Sequence, residues 1–123
     1  MAGPLMVAGR LRRLKPPLEY RMTVLVSTGR SEFDRLIVAE ANKLSPSTYK
    51  FSTDIDEPSL VLTTLDFYPM VAGLAPVILL TDDRYALDEM EDVLDISAFP
   101  TDSDGIRRIV YKTGIALVNI GSI

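Results

Sequence analysis

The residues best suited to chemistry are Ser27-Thr28-Gly29-Arg30-Ser31, set between the apolar run Val24-Leu25-Val26 and a helix-like stretch. A glycine, hydroxyls and an arginine in a strand–turn–helix passage can hold an anion, because the first helical turn presents free N–H groups. The lysine and second glycine of a phosphate-binding loop are missing. The plainer reading is a tight turn and a capped helix start, with Ser31 as N-cap and Asp34 completing a loose capping box.

A second cluster is acidic: Asp82, Asp83, Asp88, Glu89, Glu91, Asp92 and Asp95. Such carboxylates can collect a hard cation, but alternating ligands, a central glycine and a distal glutamate do not fall in register. Asp102-Ser103-Asp104-Gly105 supplies only a fragment of such a loop. A solvated acidic face and a turn are expected instead, with no metal site. The chain has no histidine and no cysteine. Without the commonest general base, a thiolate or a nucleophile elbow, only paired carboxylates remain for acid–base work. No enzyme activity, no catalytic residue and no cofactor are therefore expected.

The third group is basic. Arg10, Arg12, Arg13, Lys15 and Arg21 stand against Glu19 alone, whereas residues 50–104 hold thirteen acids against Lys50 and Arg84. A basic start on an acidic body points to contact between unlike surfaces. Residues 1–17, bracketed by Gly3-Pro4 and Pro16-Pro17, read as an extended arm whose Arg10, Arg12, Arg13 and Lys15 bind a partner subunit. A net charge of −4 and the lack of aromatics among these bases argue against nucleic acid.

The elements that must position these groups follow from hydropathy. With 123 residues, 47% of them apolar, the chain suits one domain with a sizeable core, here residues 18–123. No apolar run approaches the ~20 residues of a membrane span, and charge follows rather than precedes the first apolar patch, unlike a signal peptide. No membrane contact is expected. Residues 18–26 read as a strand, and residues 32–44 as a helix with Phe33, Leu36, Ile37, Ala41 and Leu44 on one face. Strands are expected at 48–53, 59–67 and 77–81, the last buried on both faces. A helix is expected within 82–99, where Leu87, Met90, Val93 and Leu94 match helical spacing. The β-branched stretch 107–120 reads as a closing strand, or a short helix leading into one at Gly114, with a buried end at 118–123. The fold class is α+β: a small β-rich domain with one or two helices and an extended N-terminal arm.

Asp104-Gly105-Ile106-Arg107-Arg108-Ile109-Val110-Tyr111-Lys112-Thr113-Gly114-Ile115-Ala116-Leu117-Val118 resembles the ending of small head decoration (cement) proteins of tailed bacteriophages, of the lambda type. Upstream, Ala75-Pro76-Val77-Ile78-Leu79-Leu80-Thr81-Asp82-Asp83 resembles the apolar strand and turn before it. The resemblance implies a β-rich domain that trimerises on a capsid lattice, with an N-terminal arm adding to a neighbour's sheet and no cofactor or catalysis. The function expected is a non-enzymatic virion structural protein that stabilises a capsid through contacts with the major capsid protein or other virion subunits. It would form a homo-oligomer and be found in the virion, and in the host cytoplasm during assembly. The alternative is a soluble α/β anion- or ligand-binding regulatory domain using the turn at Ser27 to Ser31.

Overall fold

Three short apolar runs build the centre of the molecule: β1 (Thr23–Val26), β3 (Leu60–Thr63) and β4 (Val77–Leu80). Every residue of β3 and β4 is buried, as befits strands covered on both faces. With β2 (Lys50–Ser52) and β5 (Val93–Ser97) they form a five-stranded, wholly parallel sheet in the order β2-β1-β3-β4-β5. The computed structural model describes residues 22–45 and 49–121, so the expected arm at residues 1–17 lies outside the described residues.

Alternation along the strands divides the core in two. Val24, Val26, Leu60, Leu62, Ile78 and Leu80 face the long helices α1 (Ser31–Leu44) and α4 (Ser103–Asn119), which bring Ile37, Ala41, Ile109, Val110, Ala116 and Leu117. Leu25, Val61, Val77 and Leu79 face the other way, toward Val71 of the single-turn α2 (Tyr68–Val71), Phe67 and Met90. A further single turn, α3 (Tyr85–Glu89), precedes β5. The mixture of α and β structure expected from the sequence is what forms.

The largest correction concerns the C-terminal stretch. Residues 103–119 are not a closing strand but the longest helix in the described chain. Asp102 caps it, accepting the Gly105 N–H at 2.9 Å. The residues that bury themselves, Ile109, Val110, Thr113, Ala116 and Leu117, follow a period of 3.6. That period outweighs the strand preference of isoleucine, valine and threonine, which costs only tenths of a kcal/mol per residue in a helix. Val118 is 57% exposed, so the end expected to be buried is open as far as the structure describes it.

The expected helix within 82–99 is also corrected, since it shrinks to α3 and gives way to β5. Leu36, assigned to the buried face of α1, is exposed.

Gly114 sits inside α4 and admits Tyr49: a Cβ there would lie 3.1 Å from the phenol oxygen. The Tyr49 hydroxyl donates to the Val110 carbonyl at 3.1 Å, joining the start of β2 to α4. Burial raises its pKa above the ordinary 10.0. The folded chain therefore keeps this proton to higher pH than the unfolded chain does. The resulting stability is complete below the unfolded pKa and is lost as pH rises through the folded one. Tyr68 acts in the same direction, through its hydrogen bond to Asp92 first and its burial second. Urea titrations should show stability falling above about pH 10, and Tyr49→Phe should make that fall shallower. An unchanged slope in the variant would count against a buried phenol.

Candidate functional site

In open, doubly wound parallel sheets, ligands settle outside the carboxyl ends of the strands, at the crevice where the strand order reverses. Here β1 has β2 on one side and β3 on the other, which puts that crevice between the loops leaving β1 and β3. The first loop is the expected anion site, Ser27 to Ser31. The second is Thr64-Leu65-Asp66-Phe67.

The chain fills this crevice with its own groups. Asp34, in the first turns of α1, is 5% exposed and turns its carboxylate onto Thr28. The Thr28 N–H donates to both carboxylate oxygens, at 3.2 and 3.1 Å, and the Thr28 hydroxyl donates to one of them at 2.6 Å. The amide an incoming anion would use already holds an anion. Gly29 adopts φ +86, and a Cβ there would lie 2.8 Å from the ring of Phe67. The ring thus closes against bare backbone, a contact only glycine permits.

The other expected residues are placed as follows. Ser27 donates its N–H to the Leu62 carbonyl at 2.9 Å, tying the loop to β3. Arg30 turns its guanidinium over the ring of Phe99, 5.8 Å from the centroid, and Phe99 stacks on Phe33 at 4.5 Å. Ser31 is the exposed first residue of α1 rather than its cap; the cap position is Arg30, which makes no side-chain cap bond. So the predicted cluster does come together at the carboxyl end of the sheet, yet it supplies its own counter-group. Sequence reading assigned Asp34 to a capping box and missed this role. The signal was there: Asp34 shares a helical face with Ile37 and Ala41, and a carboxylate on a buried face must find donors.

A polar groove of about 280 Å³ lies at the carboxyl ends of β4 and β5, lined among others by Thr81, Asp82, Arg84, Asp95, Ser97 and Lys112. Its two cationic side chains face two carboxylates, and Lys112 is already engaged, 2.6 Å from the Ile96 carbonyl and 3.7 Å from Asp95. The buried hydroxyl oxygens of Ser97 and Thr113 make no hydrogen bond among the described residues. No group of three or more metal-ligating side chains gathers among the described residues.

The sheet edges carry a second device. Lys50 donates its N–H to the Met22 carbonyl, so the backbone of the next residue, Phe51, turns to the edge of β2 that no strand among the described residues pairs. Asn42 of α1 meets both of its groups: Oδ1 accepts the Phe51 N–H at 2.8 Å and Nδ2 donates to the Phe51 carbonyl at 2.9 Å. At the other edge, Asp95 accepts the Ile96 N–H at 2.7 Å while Lys112 takes the Ile96 carbonyl. Side chains stand in for a neighbouring strand at both edges, the usual defence against edge-to-edge pairing.

Exposed apolar side chains gather elsewhere. Tyr111, Ile115 and Val118 form a stripe on the outer face of α4, spaced by four and three residues. Ile115 and Leu94 of β5 line one shallow pocket. Leu87 and the 73%-exposed Tyr85 are further exposed apolar side chains, on α3. The basic residues assigned to partner binding, Arg10, Arg12, Arg13 and Lys15, lie outside the described residues. No helix among the described residues is long and apolar enough to cross a membrane.

Known proteins offer no guide. Comparison finds no matching family model, no matching curated protein and no matching solved structure.

Proposed function

We propose that this chain is a non-enzymatic protein–protein interaction module built on a doubly wound α/β core. One observation carries the reading. The crevice where this architecture ordinarily seats a ligand is occupied by the chain's own Asp34 carboxylate and Phe67 ring. The surface left for a partner is the outer face of α4 with the neighbouring edge of β5, where Leu94, Tyr111, Ile115 and Val118 are exposed. Apolar and aromatic side chains at that density suit a docking face.

In its narrower form the proposal makes the chain a virion subunit that decorates and stabilises a capsid. The basic residues at 10–15 and the acidic stretch at 50–104 support subunit contacts of unlike charge. The capped edges of β2 and β5 favour contact through side chains over strand addition. The alternative, an anion-binding regulatory domain, has less support, because the Thr28 amide is already taken.

Co-sedimentation with capsid particles tests both levels. The full chain should pellet with particles, and Tyr111→Glu combined with Ile115→Glu should remove that association. Both positions are exposed, so the double variant should keep a melting temperature within a few degrees of wild type. Pelleting by both proteins removes the α4 surface from the account. Pelleting by neither removes the virion role.

A further inference from the structure

The polar groove at the carboxyl ends of β4 and β5 contains one group that the fold leaves without a partner. Ser97 lines it, is 2% exposed, and its hydroxyl makes no hydrogen bond among the described residues. Asp95 and Ser97 pair in register with Ile78 and Leu80, whose side chains face α1 and α4. Both β5 side chains therefore share the α4 face of the strand. Lys112 of α4 closes over that face, 2.6 Å from the Ile96 carbonyl and 3.7 Å from Asp95. A buried hydroxyl without a partner is costly, and folded proteins hold few of them. A ligand in the groove supplies the partner that the chain does not.

Lys112 and Asp95 are engaged with each other and with β5, so they form the wall. The groups left for a ligand come from the end of β4 and the loop after it. Arg84 and Asp82 line the groove and form no ion pair among the described residues. Thr81 accepts the Asp83 N–H at 3.2 Å and keeps its own proton to donate. An anion alone would meet the carboxylates of Asp82 and Asp95, and a cation alone would meet Arg84 and Lys112. Both signs are answered together only by a molecule that carries both. At about 280 Å³ the groove is near the lower end of small-molecule sites, roughly 300–1,000 Å³. We infer that this groove binds a small zwitterion, a free α-amino acid with a short side chain. Arg84 pairs with its carboxylate and Asp82 with its ammonium, while the hydroxyls of Thr81 and Ser97 hydrogen-bond its polar end. This site is separate from the crevice at Ser27 to Ser31 and from the exposed apolar face of α4, and it rests on neither.

Amide NMR titrations of the full chain with glycine, L-alanine and L-serine in turn test this, following Thr81, Arg84, Ser97 and Lys112. At least one of the three should give saturable shifts at these amides in the millimolar range. Acetate and ethylamine, which carry one charge each, should give none at the same concentrations. Arg84→Ala should raise the half-saturation concentration at least about tenfold, the weight of a charge-assisted hydrogen bond. Ser97→Ala should raise it about threefold or more. Arg84 is exposed and the Ser97 hydroxyl has no partner among the described residues, so both variants should melt within a few degrees of wild type. The inference is overturned if none of the three amino acids saturates these shifts up to tens of millimolar. Saturation by acetate or ethylamine alone overturns it too, as does a half-saturation concentration unchanged in either variant.

Discussion

Asp34→Ala should lose about 3 kcal/mol of stability, because it strips the acceptor from a buried amide and a buried hydroxyl at once. For a chain of this size that is a drop of roughly 10–15 °C in Tm, read by calorimetry. The loss reflects a network and not simply a removed charge: Thr28 is buried, its N–H reaches both Asp34 oxygens, and its hydroxyl donates to one of them. Asp34→Asn keeps one acceptor oxygen in place and should lose less than half as much. The same variants test what the carboxylate is for. In Asp34→Ala the freed Thr28 amide lies at the start of α1, where a helix N-terminus favours negative charge. Sulfate at tens of millimolar should restore part of its Tm and leave wild type unmoved. Equal sulfate effects on both proteins would mean that Asp34 does not fill an anion position.

Asn42→Ala should change the state of association as well as stability. It removes both hydrogen bonds that cover the backbone of Phe51 on the outer edge of β2. Losing the two should cost about 2 kcal/mol, since neither bond is fully buried and water replaces part of what is lost. The uncovered N–H and C=O then offer another copy a place to pair. Sedimentation velocity across a hundredfold range of concentration should show Asn42→Ala associating beyond the state that wild type adopts. Asn42→Asp should associate too, because a carboxylate accepts the Phe51 N–H but repels its carbonyl. Wild-type behaviour in both variants would show that the amide does not guard the edge.

These two side chains mark where sequence reading ran out. The runs that became β1, β3 and β4 were legible because strands buried on both faces are apolar throughout, and Ser45-Pro46 with the apolar spacing of α1 marked that helix. The turn from Ser27 to Ser31 was legible as strand–turn–helix for the same reason. β5 was not, because an edge strand is only half covered: Leu94 is exposed, and Asp95 serves the backbone of the strand itself. Its acids looked like the polar face of a helix. α4 was misread because its buried Ile109, Val110 and Thr113 are β-branched, so composition pointed to a strand while spacing pointed to a helix. The resemblance to phage decoration proteins drew on a short charged helix-like stretch and a last strand there, and residues 103–119 form one helix.

The closure of the crevice was beyond any local motif. Phe67 reaches Gly29 only because β3 pairs with β1, and Asn42 reaches Phe51 only because α1 packs beside β2. A pattern of Gly, Ser, Thr and Arg announces an anion site equally well whether the anion comes from solution or from the chain. The burial of Asp34 settles which, and it depends on tertiary packing.

The same logic supports the proposed partner surface. An interaction module needs a rigid body and an exposed face; it has no use for an open crevice. The two layers of helices fix the body, the capped edges limit pairing between sheets, and α4 presents Tyr111, Ile115 and Val118 outward. Those three residues contribute nothing to the core, so folding alone does not account for their apolar character.

The most direct test of the account is an amide NMR titration of the full chain with inorganic phosphate, following Thr28, Gly29 and Arg30. A crevice closed by Asp34 and Phe67 predicts no saturable shift at these three amides up to tens of millimolar phosphate, and slow solvent exchange at Thr28. Saturable shifts at all three, with Thr28 exchanging freely before phosphate is added, would contradict it.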